Sequence, residues 1–179
     1  RAVAEQLAAR GAHLRLLCRS LDKAAPVVEA LQLQTEVVAI ACDLGSLASV
    51  RDAAAALLAR DEPLHVLVNN AGVGGQKGQT ADGFELHFGV NHLGHFLLTN
   101  LLLDRLKASA PARIVHVASG SHYKARGIDW EAVQQTTASV SGFPEYTVSK
   151  LANVLFNAEL ARRLEGSGVT TYAVNPGRI

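Results

Sequence analysis

The stretch LHVLVNNAGVGGQKG, residues 64–78, runs from an apolar segment straight into a glycine-rich loop. Pro63 ends the helical pattern ahead of it, and the apolar run itself reads as a strand. A long helical pattern follows, from about Asp82 to Lys107, and its part HLGHFLLTNLLL (92–103) is too apolar to lie on a surface. Strand, loop and buried helix in that order form one unit of a parallel sheet covered by helices.

Reading outward, the same alternation reaches both ends without linkers or repeats. RAVAEQLAAR (1–10) predicts a helix with Val3 and Leu7 one turn apart, closed by Gly11 in the left-handed region. AHLRLLC (12–18) is a strand. AAPVVEALQ (24–32) is a shorter helix with Pro26 in its first turn, where a missing N–H costs little. EVVAIAC (36–42) is the next strand, and Ser46 is placed to cap the helix LASVRDAAAALLAR (47–60). Beyond the central unit come the strand RIVHVAS (113–119), a loop through GIDW (127–130), the helix EYTVSKLANVLFNAELARRL (145–164) and the strand VTTYAVN (169–175). Five strands alternating with helices define an α/β chain with a doubly wound parallel sheet.

Composition narrows the partners. The chain has 179 residues, 49% hydrophobic and 18% charged, enough for one packed core. A formal net charge of +1 with interspersed acids and bases leaves no basic stripe for a phosphate backbone, so nucleic acid is not an expected partner and a small molecule is. Cys18 and Cys42 each end an apolar strand, which reads as free thiols in a reducing, cytoplasmic compartment. No run approaches the ~18 apolar residues of a membrane span. The abrupt helical start and the absence of methionine read as a fragment, with any membrane attachment carried by segments outside these residues.

In such a sheet ligands bind beyond the carboxyl ends of the strands. Polar residues stand at each of those ends: Arg19 and Ser20, then Asp43, then Asn69 and Asn70 with Ala71 and Gly72, then Ser119, then Asn175 with Pro176 and Gly177. Any one of them is an ordinary helix cap; together they mark one edge. Tyr146 and Lys150 lie four apart on the last helix. Tyrosine and lysine also meet at this spacing on ordinary surface helices, so the pair is informative only beside that edge. His92 and His95 are three apart on one helix, with no third residue spaced to complete a metal site, and read as core or interface histidines.

The runs CDL (42–44), NNAG (69–72), VNHLGHFLL (90–98), RIVHVAS, YTVSK (146–150) and NPG (175–177) resemble the short-chain dehydrogenases/reductases in order and spacing. Among subgroups the chain is most similar to the retinol-dehydrogenase-like and WW-domain-oxidoreductase-like members. The resemblance implies that residues 1–179 are a partial NAD(P)-binding Rossmann domain. It implies a catalytic tetrad of Asn91, Ser119, Tyr146 and Lys150, acting on a carbonyl or alcohol, including lipophilic ones such as retinoids or steroids.

The chemistry of each residue suits that role. Reducing a carbonyl develops an alkoxide that needs a proton donor, and a phenol near pKa ~10 becomes easier to deprotonate beside an ammonium. Ser119 would orient the carbonyl oxygen. Asn91 would fix a bend or a water on the path to Lys150. Arg19 and Ser20, with no acid before Asp22, favour NADP(H) over NAD(H), because a guanidinium accommodates a 2′-phosphate. Asp43 would accept from the adenine amine, Asn69, Asn70, Ala71 and Gly72 would border the adenine ribose, and Tyr146, Lys150, Pro176 and Gly177 would complete the cofactor contacts. A homodimer through the two long helices is a further implication.

Two parts of the family pattern are not found in these residues. The first strand with its glycine-rich pyrophosphate turn would precede Arg1, and GVGGQKG follows the wrong strand to replace it. The threonine and helical flap that follow NPG would come after Ile179. The fragment alone is therefore expected to be inactive, with strands 12–18 and 64–69 facing a gap and leaving backbone groups unpaired, so that it folds poorly or associates. The alternatives are a non-catalytic dinucleotide-binding sensor or scaffold, which would not need all four tetrad residues, and the sugar-nucleotide epimerases. The epimerases share the tyrosine–lysine pair but usually lack NNAG.

Overall fold

A computed structural model describes residues 1–177. The elements, in order, are α1 (Ala2–Ala8), β1 (Leu14–Cys18), α2 (Leu21–Gln32), β2 (Val37–Ala41), α3 (Leu47–Leu58) and β3 (Val66–Asn69). A π-helical turn, Phe88–Leu93, then runs into α4 (Gly94–Ala108), followed by β4 (Ala112–Val117), two short 3₁₀ turns, α5 (Phe143–Arg163) and β5 (Val169–Val174). Every strand pairing is parallel.

The sheet is in two parts. β1 pairs with β2 from Leu14↔Val37 to Cys18↔Ala41, and β4 lies between β3 and β5, with Asn69 opposite His116 and Val117 opposite Val174. β1 and β3 line opposite sides of a cleft of about 1360 Å³, as the predicted gap between those two segments requires. At its amino end the two parts are tied by charge. Arg15 reaches Glu36 at 2.6 Å and Glu62 at 2.5 Å, and Arg60 reaches Glu62 at 2.8 Å. Hydrogen bonds from Arg60 and Arg15 hold the Glu62 carboxyl down at about 2.

The main core is built from Val50, Ala53 and Ala54 of α3, Leu98, Leu102 and Leu106 of α4, Leu67 and Ile114 of the strands, and Leu160 of α5. Val50, Leu106 and Ile114 are fully buried, and a buried side chain of this size contributes about 1.5–3 kcal/mol. Helix α4 meets the loop after β2 through Gly94, where a Cβ would lie 2.6 Å from the Leu44 carbonyl oxygen. Gly94→Ala is therefore expected to cost about 2 kcal/mol or more, read as a lower denaturation midpoint, because backbone rather than a flexible side chain must move.

Two boundaries differ from the sequence expectation. Helix α2 begins at Leu21, not near Ala24, because the Ser20 hydroxyl accepts the Lys23 N–H as a cap; Pro26 therefore lies inside the helix rather than in its first turn. The long helix begins at Leu86, two residues before the π-helical turn, not near Asp82. Residues before it are drawn into tertiary pairing, with Glu85 bridged to Gln79 and its N–H donated to the Val133 carbonyl. Ser46 caps α3 as expected, accepting from Ser49 N–H. Among the described residues no helix is long and apolar enough to cross a membrane. Cys18 and Cys42 are free thiols, Cys18 half-buried and Cys42 buried, and burial, with smaller contributions from Asp43 and Cys18, pushes the Cys42 thiol up to about 11.

Candidate active site

The strand ends and the first half of α5 build the site. Gly142, whose φ of +64° suits glycine, is the cap from which α5 starts, and the helix carries Tyr146, Ser149, Lys150 and Asn153 at helical spacing on one face. Lys150 is 5% exposed; its ammonium donates to the Val117 carbonyl at the end of β4 at 2.8 Å and lies 5.5 Å from the centre of the Tyr146 ring. Burial pushes the lysine's pKa down from its ordinary value. Tyr146 is half-buried. Its ring stacks on Phe143 at 6.0 Å, and a Cβ on Gly74 would touch it at 3.6 Å.

Asn91 is fully buried in the π-helical turn and spends its whole amide on structure. Its Oδ1 accepts the Val73 N–H at 2.7 Å, and its Nδ2 donates to the Val73 carbonyl at 2.9 Å and to Ser149 Oγ at 3.0 Å. The glycine-rich loop is thereby locked between α4 and α5. A Cβ on Gly72 would stand 3.0 Å from Asn91 Oδ1 and 3.9 Å from Lys150 Nζ, a tight fit that would push against the Asn91 amide. The Asn91 carbonyl in turn accepts from His95 Nδ1 and Asn153 Nδ2, each at 3.0 Å.

Ser119 follows β4 and caps the 3₁₀ turn Gly120–Lys124. Its Oγ accepts the Ser121 N–H at 3.2 Å and the Ser121 hydroxyl at 2.8 Å. Two accepted hydrogen bonds leave its own O–H as the group to offer a ligand.

Arg19, Asp43, Asn70, Ala71 and Gly72 all line the cleft. Arg19 is exposed and pairs with no carboxylate among the described residues. Asp43 Oδ1 accepts the Gly45 N–H at 2.9 Å. The Ser20 hydroxyl accepts the Lys23 N–H as the α2 cap and keeps its own O–H, whereas Asn69, 3% exposed, departs from its expected contact and turns its amide into the core toward Thr99 Oγ1 at 2.9 Å and His116 Nδ1 at 3.2 Å. Pro176 and Gly177 are exposed beyond β5, with the Gly177 N–H on Asn175 Oδ1 at 3.2 Å. His92 and His95 do not converge: His92 Nδ1 pairs with Asn153 Oδ1 at 3.1 Å, while His95 bonds the Asn91 carbonyl.

Residues the sequence reading passed over are Ser149 and Asn153, which carry the Asn91 lock, and Ser121. The first two were marked by their spacing from Tyr146, three and seven residues on along the same helix face.

A parallel sheet flanked by helices, with these side chains at its carboxyl edge, defines a Rossmann-like protein of the short-chain type. A sequence model described as "short chain dehydrogenase" matches residues 1–179, and the chain belongs to that family. Within it the chain falls in the retinol-dehydrogenase-like subgroup: it is 50% identical to human retinol dehydrogenase 11 over 98% of its own length and 56% of that protein's, and 48% identical to human retinol dehydrogenase 13 over 96% and 53%. It thus spans about half the length of these curated relatives. Among solved structures, an uncharacterized protein from Mycobacterium paratuberculosis superimposes with a TM-score of 0.82 at 39% identity, covering 98% of this chain and 63% of that one. The NADP complex of Pseudomonas aeruginosa RhlG superimposes with a TM-score of 0.76 at 26% identity, covering 99% and 67%.

Proposed function

We propose that the protein containing this chain is an NADP(H)-dependent oxidoreductase that interconverts a carbonyl and an alcohol, with lipophilic substrates of the retinoid or steroid kind. The observation that carries the reading is the placement of Tyr146 and Lys150 one turn apart on α5, with the ammonium anchored on β4 beside the phenol ring.

The residues at the carboxyl edge of the sheet suit a dinucleotide. Glycines at 72 and 74 keep the loop close to Asn91, Lys150 and Tyr146, and the exposed Arg19 offers a guanidinium to a 2′-phosphate. Asp43, Asn70, Ala71 and Gly72 would border the adenosine half, with Lys150 near the nicotinamide half. When bound there, the cofactor supplies or accepts the hydride. Tyr146 donates the proton to the substrate oxygen, and the Lys150 charge favours the phenolate left behind. Ser119 directs its O–H to the same oxygen. Asn91 holds the loop and α5 in register through Val73 and Ser149.

The test is to follow NADPH and NADH oxidation by the whole protein with a panel of aldehydes and ketones that includes retinaldehyde. Turnover that prefers NADPH supports the reading. Arg19→Ala is expected to raise KM for NADPH about 10-fold or more, the size of a lost charge-assisted hydrogen bond, and to leave KM for NADH nearly unchanged. NADPH binding without turnover of any carbonyl would instead make the protein a dinucleotide-binding sensor.

A further inference from the structure

A buried polar pair lies beside Tyr146 outside the roles described above. His87 is fully buried and Glu85 is 2% exposed. The Glu85 carboxylate gathers three donors: His87 Nδ1–H at 2.8 Å, the Phe88 N–H at 2.8 Å and the Thr137 hydroxyl at 2.5 Å. Burial by itself would push this carboxyl up; the hydrogen bonds from His87, Thr137 and Phe88 hold it below its ordinary range. A carboxylate at Nδ1 fixes both the tautomer and the plane of the imidazole. The other nitrogen, Nε2, is buried with no hydrogen-bond partner among the described residues. Leaving a buried polar atom unpaired costs stability and needs an explanation from what the ring touches.

The ring touches the base of α5. A Cβ on Gly142 would lie 2.7 Å from His87 Cε1 and 3.2 Å from Nε2, so the imidazole packs directly under the left-handed residue that starts the helix. The Gly142 carbonyl accepts the Tyr146 N–H at 3.0 Å, and the His87 and Tyr146 rings meet nearly at right angles, 86°, with centroids 6.4 Å apart. Thr137, held by the same carboxylate, ties down the loop that leads into Gly142, and the Ser139 hydroxyl accepts the Gly142 N–H at 3.0 Å.

We propose that His87, held by Glu85, is a positioning residue for Tyr146: its ring sets the start of α5 and the edge of the phenol, and so where the hydroxyl sits over the substrate oxygen. The inference rests on Tyr146 being the proton donor. A displacement of about 1 Å at such a donor is enough to cost about 10²-fold.

Two variants of the whole protein separate the ring from its hydrogen bond. His87→Asn keeps an N–H for Glu85 and removes the ring; kcat is expected to fall about 10- to 100-fold with KM for NADPH nearly unchanged. His87→Phe restores a ring and removes the donor; kcat is expected to return to within about threefold of the parent, although its Tm falls below that of the Asn variant because a buried carboxylate loses a partner. A structural role alone would make kcat follow Tm across the two, and that ordering overturns the proposal, as does parental kcat in His87→Asn. Near-UV circular dichroism gives a reading independent of turnover. The signal lost in Tyr146→Phe is expected to persist in His87→Phe and to collapse in His87→Asn. A parent without turnover would sink the proton-donor reading, and an unchanged tyrosine signal in His87→Asn would sink this one.

Discussion

Tyr146→Phe is expected to lower kcat for carbonyl reduction with NADPH by about 10²- to 10⁴-fold, the usual contribution of a general acid. The change removes one oxygen and leaves the ring. Its stack on Phe143, its contact with Gly74 and the anchor of Lys150 on the Val117 carbonyl all involve atoms that the variant keeps. NADPH affinity measured by fluorescence and the denaturation midpoint should therefore both stay close to the parent's. A variant that turns over at the parental rate would return Tyr146 and Lys150 to an ordinary helix face and favour the sensor reading.

Acid should destabilise the fold well before its carboxylates titrate. Burial, opposed by the bond to the Asn91 carbonyl and reinforced by the Lys150 charge, depresses His95 to about 4. Burial, with smaller contributions from His95 and His92, depresses His116 to about 4. In the unfolded chain both take a proton near pH ~6.5. Between that pH and about 4 the unfolded state binds more protons than the folded one, so stability rises with pH in this window and is lost as pH falls through it. Each histidine contributes a slope of up to about 1.4 kcal/mol per pH unit. Urea denaturation at pH 7 and pH 5 should differ by about 4 kcal/mol, a large part of a typical domain's stability. His95→Gln should remove about half of that difference; an unchanged slope would mean that these imidazoles are protonated in place.

The strands were legible because each is an apolar run, two of them preceded by the punctuation of Gly11 and Pro63, and the cap at Ser46 was legible from its own chemistry. Tyr146, Lys150 and Ser119 stood out by spacing and strand ends, while the roles expected of them came from the family resemblance. What could not be read depends on long-range partners. Glu85 binds Thr137 from 52 residues away, and with the Val133 carbonyl it takes residues before Leu86 out of a helix that their periodicity favours. Asn69 looked like its neighbour Asn70, but Thr99 and His116 claim its amide. Pro26 suggested a helix start because first-turn proline costs little, whereas Ser20 provides the stronger cap six residues earlier.

The wide turn at Phe88–Leu93 has a geometric consequence. There the Gly94 N–H reaches back five residues to Gly89, which amounts to one residue more than an α-helical turn holds. Each α-helical residue advances the chain by about 100° around the axis, so removing that one residue would swing everything upstream by roughly a quarter circle relative to α4. Leu98, Leu102 and Leu106 would keep their places in the core, while Glu85, His87 and the loop clasped by Asn91 would be carried off the α5 face. The surplus residue works as a phase shifter: it lets one continuous rod obey the packing rhythm of the core at one end and the aim of the site at the other.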